Sequence, residues 1–157
     1  MPIDMDNMLP GFSDQLMCSS TMRINPNDGV LSYNIAAAPL RDVEILDVGF
    51  MVGISCSAEY KVKIGSHLWS TGDTRAGTAT LEHFVAEFTI PAETRVGTVY
   101  RVSDGTLSWH TSADTEAERR LKKTSTVTLT VSVDPGADGE LIPFVIMRGA
   151  EPLDPIA

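Results

Sequence analysis

The longest alternation of apolar and polar residues in this chain lies at residues 46–64, which read LDVGFMVGISCSAEYKVKI. Every even-numbered position in this stretch is apolar or small, from Leu46 through Phe50 to Ile64, whereas the odd-numbered positions are mostly polar, charged or Gly. A helix would scatter these apolar side chains around its whole circumference, while a strand places them on one face. The stretch therefore predicts β structure with one buried and one solvated face.

The length of this stretch is too great for one strand. An uninterrupted strand of this length would span about 60 Å, at about 3.3 Å per residue, whereas strands usually have about five or six residues. The segment must therefore bend or turn. Gly49 and Gly53 are suitable positions for a bulge, where the chain would leave one sheet and enter another. The alternative is a simple hairpin with its tip near Ser55–Ser57.

Shorter alternations follow toward the carboxyl end and predict further strands. Residues 84–90 alternate until Pro91 ends the strand, and residues 96–110 predict a hairpin around Ser103–Gly105. Residues 126–133 alternate with valine and leucine inward and with threonine and serine outward, which is typical of a solvated sheet. The inward set is Val127, Leu129, Val131 and Val133.

The last strand and the turn before it carry two further signals. The Gly- and Asp-rich stretch Asp134–Gly139 predicts a turn, and Leu141–Met147 predicts a strand. Pro143 inside that strand lacks an N–H donor, which predicts an edge strand or a bulge. About six to eight short strands with turns about every ten residues predict an all-β fold, an antiparallel β-sandwich or a jelly roll.

One stretch is typical of a helix. Residues 115–118 read TEAE, the Ser/Thr-x-x-Glu form of a capping box, and Glu116 and Glu118 stand four residues before Arg120 and Lys122. The stretch is short and polar. It therefore predicts one short helix on the surface, between strands.

The two ends of the chain show no strand-like period. Residues 1–30 hold five of the seven methionines together with prolines and apolar residues, a composition that favours contact with another surface. We interpret this segment as an extended amino-terminal arm; the alternative is an ordered coil packed on its own domain. The predicted organisation is an arm at 1–30, a β-sandwich domain at 31–149 and a tail at 150–157, whose two prolines forbid a regular helix.

Length and composition limit the class of protein. The 157 residues and 17.0 kDa suit one domain, and 43% hydrophobic residues suit a globular core. Twelve basic and 21 acidic residues give a net charge of −9, which repels the phosphates of nucleic acids and of anionic lipids. No window approaches the roughly 20 apolar residues of a membrane-spanning helix. The chain is therefore expected to bind neither nucleic acid nor membrane.

The amino terminus and the cysteines indicate the compartment. No basic residue precedes Arg23, so the start of the chain does not resemble a secretory signal, and we expect the mature chain to begin at Met1. Cys18 and Cys56 are interpreted as buried thiols of a protein made in a reducing cytoplasm, and a disulfide between them is the alternative. No Cys-x-x-Cys pair occurs, which removes the usual support for structural zinc or a redox motif.

No catalytic motif stands out in the sequence. His67, His83 and His110 would form a metal site only if distant strands brought them together, and none belongs to a His-x-His or Glu-x-x-His group. Ser66 lacks a nucleophile elbow. The loop Asp134–Gly139 lacks the ligand pattern of an EF-hand and is interpreted as a turn, not a calcium site. We therefore predict no enzyme activity, no cofactor and no metal.

Three features occur together in this chain: an arm from Met1 to Val30, strands between Val43 and Met147, and a final Arg148-Gly149 followed by a tail. In this overall pattern the chain resembles the small jelly-roll or β-sandwich decoration (cement) proteins of bacteriophage capsids. The resemblance implies a structural virion protein, made in the host cytoplasm, that binds the outer surface of the major capsid protein as a homotrimer. It also implies that the arm makes the partner contacts, through Ile3, Met5, Met8, Leu9 and Phe12.

Three alternatives arise from individual features. Trp69 and Trp109 would form the aromatic platform of a carbohydrate-binding or adhesive β-sandwich module. The histidines would hold the metal of a small cupin-like enzyme. The long alternation at residues 46–64 would suit the ring-forming hairpin of a phage tail-tube or head-completion protein.

Overall fold

The computed structural model describes residues 16–19, 22–38, 41–70 and 73–149, and of residues 16–19, 68–70 and 73–80 it describes the backbone alone. Within these ranges the chain forms nine strands and two short 3-10 turns, at Pro26–Asp28 and Thr111–Ala113. The strands are Leu16–Ser19 (β1), Ser32–Ala37 (β2), Val43–Ile54 (β3), Tyr60–Ser70 (β4), Asp73–Ile90 (β5), Val99–Arg101 (β6), Arg120–Leu121 (β7), Ser125–Val133 (β8) and Glu140–Gly149 (β9).

The described strands form two antiparallel sheets. In sheet A the order is β1-β9-β3-β6, with β7 also paired to β3, and in sheet B the order is β2-β8-β4-β5. The chain changes sheet between β1 and β2, β2 and β3, β3 and β4, β5 and β6, β7 and β8, and β8 and β9. This is the connectivity of a jelly roll, which is built from two Greek keys. The predicted all-β antiparallel sandwich of jelly-roll type is confirmed.

The hydrophobic core lies between the two sheets. Inward residues of β3 and β4 contribute Val48, Phe50, Tyr60 and Val62, each at most 1% exposed. The alternation in the sequence therefore predicted the buried faces of both strands. The change of sheet is also confirmed, but it occurs in the connection at residues 55–59, where the hairpin alternative placed its tip.

A bulge near the start of β3 shifts the alternation by one residue. The register with β9 slips between Ile45 and Asp47, so that Val43 and Ile45 are buried while Leu46 is only partly buried. The expectation that Leu46 points inward is therefore wrong, because a bulge re-aims the side chains beside it. The slip also leaves Asp47 only 3% exposed.

The two glycines of β3 have different roles. A second slip of the register lies between Val52 and Ile54, which confirms the bulge predicted at Gly53. Ile54 beyond this bulge is 51% exposed, although its even number predicted burial. Gly49 lies in a regular stretch of the register and forms no bulge.

The outer face of β8 is more buried than predicted. The inward residues up to Val131 are buried, but Val133 at the end of the strand is 42% exposed. Thr128 and Thr130 on the opposite face are only 4% and 5% exposed, because β8 lies between β2 and β4 and their side chains cover it. The predicted solvated threonine face is therefore wrong at the centre of β8.

Pro143 lies in an inner strand, β9, and not in an edge strand. The N–H of Leu141 donates to the carbonyl of Ile24 at 2.8 Å, on the side of β9 away from β3. Because alternate residues of a strand direct their N–H groups toward the same neighbour, the donor that Pro143 lacks would point to this side too. On this side Pro143 lies in the gap between two pairings of β9, the Ile24–Leu141 bridge and the Ser19–Val145 pair. The ladder with β3 therefore loses no hydrogen bond to the proline.

The predicted surface helix at residues 115–118 is wrong. Its capping box does form, since the N–H of Glu118 donates to Thr115 Oγ1 at 3.3 Å and the N–H of Thr115 donates to the Glu118 carboxylate at 3.0 Å. The chain makes one turn over residues 116–119 and then pairs with β3 through Arg120 and Leu121. Strand pairing thus ends the helix after its first turn. No helix within the described ranges is long and apolar enough to cross a membrane.

The hairpin predicted at residues 96–110 forms only around its turn. Val99–Arg101 pair with β3, and the N–H of Leu107 donates to the carbonyl of Arg101 at 3.0 Å. After Leu107 the described chain leaves the sheet and leads into the 3-10 turn at Thr111–Ala113. Sheet A therefore ends at β6 and has no second hairpin strand beside it among the described residues.

The described part of the 1–30 segment packs against the sandwich. Leu16–Ser19 form an edge strand on β9, Ile24 exchanges two backbone hydrogen bonds with Leu141, and Pro26 is buried. These residues agree with the ordered-coil alternative. Residues 1–15 and 150–157, and with them all five predicted contact residues, lie outside the described residues. The division into arm, domain and tail stays a prediction.

Cys56 is a free, buried thiol, 3% exposed, whose Sγ donates to the carbonyl of Ala137 at 3.5 Å. The interpretation as a buried thiol is therefore confirmed for Cys56. Cys18 lies on β1, where the structure describes the backbone alone.

Candidate interaction surface

The outer face of β9 carries an unusual row of apolar side chains. Alternate residues of this strand are buried, and the residues between them are partly exposed on the outer face of sheet A. These outward residues are Glu140, Ile142, Phe144, Ile146 and Arg148. Three apolar residues, Ile142, Phe144 and Ile146, thus lie in a row between two charged ends, and we call them the apolar stripe.

The neighbouring strand β3 has glycines beside two residues of the apolar stripe. Gly49 pairs with Phe144, and a Cβ at Gly49 would stand only 2.7 Å from the edge of the Phe144 ring and would overlap the carbonyl oxygen of Tyr100. A Cβ at Gly53 would lie 3.2 Å from Cδ1 of Ile142. At Gly49 only glycine therefore allows the aromatic ring to lie directly over the backbone of β3, whereas at Gly53 a Cβ would meet the Glu140 carboxylate first.

Two further apolar residues widen the surface. Met51 pairs with Ile142 across β3 and β9, and Val99 of β6 pairs with Met51 on the other side. Met51 is partly exposed and Val99 is 36% exposed. Three neighbouring strands of sheet A thus present apolar side chains to the outside.

A buried ion pair holds the aromatic ring of the stripe in place. Arg101 Nε donates to Asp47 Oδ2 at 2.7 Å, and the N–H of Ser103 donates to the second carboxylate oxygen at 3.0 Å. The Arg101 guanidinium lies 5.0 Å from the centroid of the Phe144 ring, within the range of a cation–π contact. The Asp47 side chain is only 5% exposed, whereas that of Arg101 is 33% exposed. The buried carboxylate therefore fixes the arginine, and the arginine covers part of the ring.

The other end of the stripe lies where the chain enters and leaves the described fold. Arg148 pairs with Leu16 of β1, and its guanidinium donates to the Glu44 carboxylate at 2.9 and 3.0 Å. The chain before Leu16 and the chain after Gly149 therefore connect to the same end of sheet A.

The apolar stripe is not among the surfaces predicted from the sequence. The signal was present, because residues 141–147 read LIPFVIM, which is apolar at every position and not only at alternate ones. A strand that is apolar on both faces is expected to be covered on both. The five contact residues predicted from the sequence lie outside the described residues. They are Ile3, Met5, Met8, Leu9 and Phe12.

His83 and His110 form hydrogen bonds that join β5 to the loop before β7, and His67 lies on β4. Ser66 Oγ lies 2.7 Å from His83 Nδ1, and His83 Nε2 lies 2.8 Å from the carbonyl of Glu118. Because a carbonyl only accepts, Nε2 carries a proton and donates to the carbonyl of Glu118, while the Ser66 hydroxyl is the partner of Nδ1. Ser112 Oγ connects the carbonyl of His83 with His110 Nδ1. No group of three or more possible metal ligands occurs in the ranges that the structure describes.

Trp109 packs into the protein. The guanidinium of Arg119 lies 4.6 Å from the centre of its ring, and Phe84 contacts it edge-on with the ring centroids 6.4 Å apart. One face of the indole is therefore occupied by a side chain of the same molecule. Trp69 lies on β4, at a position where the structure describes the backbone alone.

The loop Asp134–Gly139 is a turn between β8 and β9, as predicted. Asn27 Nδ2 and Asn25 Nδ2 donate to Asp138 Oδ1 at 3.0 and 3.2 Å. These hydrogen bonds, that of Asn27 foremost, hold the pKa of Asp138 below its ordinary value. The carboxylate thus ties the turn to the 3-10 turn at Pro26–Asp28.

Comparison with known proteins gives only distant structural matches. No protein-family model matches the sequence, and no curated protein matches it. A chain in the structure of infectious bursal disease virus Gx strain is 13% identical over 91% of this chain and 35% of its own length, with a TM-score of 0.33.

Two further matches come from the same virus. A chain of its T13 viral particle is 10% identical over 88% of this chain and 40% of its own length, with a TM-score of 0.28. A chain of its VP2 subviral particle is 12% identical over 90% of this chain and 43% of its own length, with a TM-score of 0.23. This chain spans less than half the length of each of the three.

Proposed function

We propose that this chain is a structural virion protein that decorates and stabilises a capsid. In this role it binds the outer surface of the major capsid protein as a homotrimer, and it catalyses no reaction. The observation that carries the proposal is the pairing of Leu16 with Arg148. It puts Leu16 and Arg148 side by side at one end of sheet A, so residues 1–15 and 150–157 are attached to the fold at the same end.

The composition of the amino-terminal segment supports a role in assembly. Residues 1–15 include three methionines, whose flexible side chains adapt to irregular surfaces. An extended segment of 15 residues reaches about 50 Å. Such a segment buries contact area without a rigid facing surface, as in the arms that tie subunits together. The proposed contact residues are Ile3, Met5, Met8, Leu9 and Phe12.

The jelly roll by itself is compatible with a capsid protein, a lectin and a cupin. The side chains around it favour the first. Trp109 has one ring face covered by Arg119, so it does not offer the open platform that a sugar ring needs. Both ring nitrogens of His83 already have hydrogen-bond partners within the protein, so neither is free to coordinate a metal.

The proposal is tested with the full chain and with a variant that lacks residues 1–15. The deletion stops before β1, because residues 16–30 contribute a strand and a buried proline to the sandwich. We expect the full chain to form trimers by light scattering and to co-sediment with capsid particles that co-purify with it. The deletion should weaken co-sedimentation at least about tenfold, the effect of losing one strong contact.

Two controls make the result decisive. Removal of residues 150–157 measures the contribution of the other segment, and circular dichroism shows whether each variant retains its β fold. Undiminished binding of the variant without residues 1–15 would show that the arm is not the partner contact. A monomeric full chain that sediments with no particle would contradict the proposed function as a whole.

A further inference from the structure

We propose that the apolar stripe on the outer face of sheet A binds residues 1–15 of a neighbouring copy of this chain. This inference rests on the proposed function and adds the surface that receives the arm. The stripe consists of Ile142, Phe144 and Ile146, and its margin is formed by Met51 and Val99.

The composition of this face is that of a protein interface. Aromatic residues, methionine and arginine are enriched in interfaces, whereas lysine is depleted. The face combines Phe144, Met51 and Arg101 and holds none of the four lysines of the chain, and its acidic residues, Glu44, Asp47 and Glu140, each form an ion pair with an arginine. A solvated face of an antiparallel sheet would carry polar residues at these outward positions.

The geometry of this face is preformed. Glycine at position 49 lets the Phe144 ring lie close to the backbone of β3, and Arg101, held by Asp47, covers one part of the ring. Side chains that are already fixed lose little conformational entropy when a partner binds. The central aromatic with its arginine has the features of a binding hot spot.

The attachment of residues 1–15 at Leu16 bears on whether they cover the apolar stripe of their own chain or that of a neighbouring copy. β1 starts at Leu16, opposite Arg148, and runs from the end of sheet A toward its middle, so the preceding chain must approach from beyond that end. To cover its own stripe the segment would have to reverse direction and step from the sheet edge onto its outer face. A segment that continued in line with β1 would lead away from its own stripe, which favours the stripe of a neighbouring copy.

The dimensions allow this exchange. Five residues of a strand, the distance from Ile142 to Ile146, extend over about 14 Å. An arm of 15 residues extends over about 50 Å, so about two thirds of it remains to bridge the gap between copies. Ile3 and Met5 alternate as in a strand, which suits an extended segment laid along the stripe.

The first experiment is a photo-crosslink in the full-length protein. Benzoylphenylalanine replaces Leu9, and protein labelled with heavy nitrogen is mixed with unlabelled protein before illumination. Mass spectrometry then locates the crosslinks and shows whether they join copies of different label. We expect crosslinks between residue 9 of one label and residues 142–146 of the other.

Each other outcome overturns the inference. Crosslinks only within one label would show that the arm covers its own molecule, and crosslinks to sheet B or to another particle protein would place it elsewhere. Co-sedimentation with particles is measured on the same sample. If the protein still sediments with particles while residues 142–146 stay free of crosslinks, the inference fails and the proposed function stands.

The second experiment compares substitutions on the two sheets. Phe144→Ser should raise the dissociation constant of the oligomer at least about tenfold, whereas Val133→Ser on β8, an exposed apolar residue outside the stripe, should leave it unchanged. Ile142→Thr keeps a β-branched residue in the strand and serves if Phe144→Ser impairs folding. Equal oligomer stability in Ile142→Thr and the unchanged chain would contradict the inference.

Discussion

The outer faces of the two sheets differ more than their inner faces do. Both inner faces are apolar and form one core. Outside, sheet B is polar: Lys61 and Lys63 of β4 lie 3.6 and 3.7 Å from Glu87 and Glu82 of β5. On β8, Thr130 shares a hydrogen bond of 2.7 Å with Ser32 of β2, so a polar ladder continues to the other edge.

Sheet A has the opposite pattern at its outer face. Its central strands carry apolar residues there, and in the charged pair beside them the Asp47 carboxylate is buried while Arg101 is partly exposed over the Phe144 ring. The two outer faces therefore differ in the chemistry that they present, and the proposed contact surface is the apolar one. Two perturbations test this contrast, and a third, in a loop outside both faces, is expected to have the smallest effect.

The largest effect is expected from the charge pair of sheet A. Asp47→Ala removes a buried carboxylate that accepts hydrogen bonds from the partly exposed Arg101 guanidinium and from the Ser103 N–H, which should lower the free energy of unfolding by about 3 kcal/mol. Glu82→Ala breaks an exposed pair on sheet B and should cost at most about 0.5 kcal/mol. Urea denaturation of both variants measures the difference, and equal losses would show that the two faces do not differ as described.

An intermediate effect is expected from the glycine beneath the aromatic ring. Gly49→Ala places a methyl group against the Tyr100 carbonyl and the Phe144 ring, and the sheet must shift to admit it. We expect a loss of about 2 kcal/mol, within the range for overpacking. Gly97→Ala separates the two causes of destabilisation. A Cβ at Gly97 meets no atom within 4 Å, so this substitution introduces only the backbone strain of a φ of +87°. Combining Gly49→Ala with Phe144→Ala should recover part of the loss, and no recovery would mean that the ring is not the obstacle.

The smallest effect concerns a loop that belongs to neither face. Hydrogen bonds from Asn27 and Asn25 lower the pKa of Asp138, so they stabilise the fold above the ordinary pKa of aspartate, and this stability is lost as the pH falls through the lowered value. Asn27→Ala should move the pKa of Asp138 back toward its ordinary value, as followed by NMR titration. An unchanged pKa in this variant would assign the shift to Asn25 alone.

The inner faces of the strands were predictable because burial alternates with the residue number in a strand. Val48, Phe50, Tyr60 and Val62 follow this rule without exception. Leu46 does not follow it, because the bulge at Ile45–Asp47 depends on pairing with β9, almost a hundred residues later in the chain. A bulge is set by the partner strand, so the local pattern carried no sign of it.

The helix expected at residues 115–118 shows the same limit. The capping box is local, and it formed as expected. The next residues are governed by a distant strand: Arg120 and Leu121 pair with the start of β3, and this pairing replaces the second turn of the helix. The sequence could also have indicated the apolar stripe through its unbroken run at residues 141–147, but not which residues lie beside it.

Periodicity within short segments was enough to specify an all-β chain and the side of each strand that faces the core, because side-chain direction in a strand depends only on the backbone of that strand. The jelly-roll connectivity and the outer surface of sheet A needed the folded structure. Gly49 meets Phe144, and Arg101 meets both Asp47 and Phe144, only because strand pairing joins residues that lie far apart in the chain. Register and neighbour are set by packing of the whole domain, so no single segment encodes them.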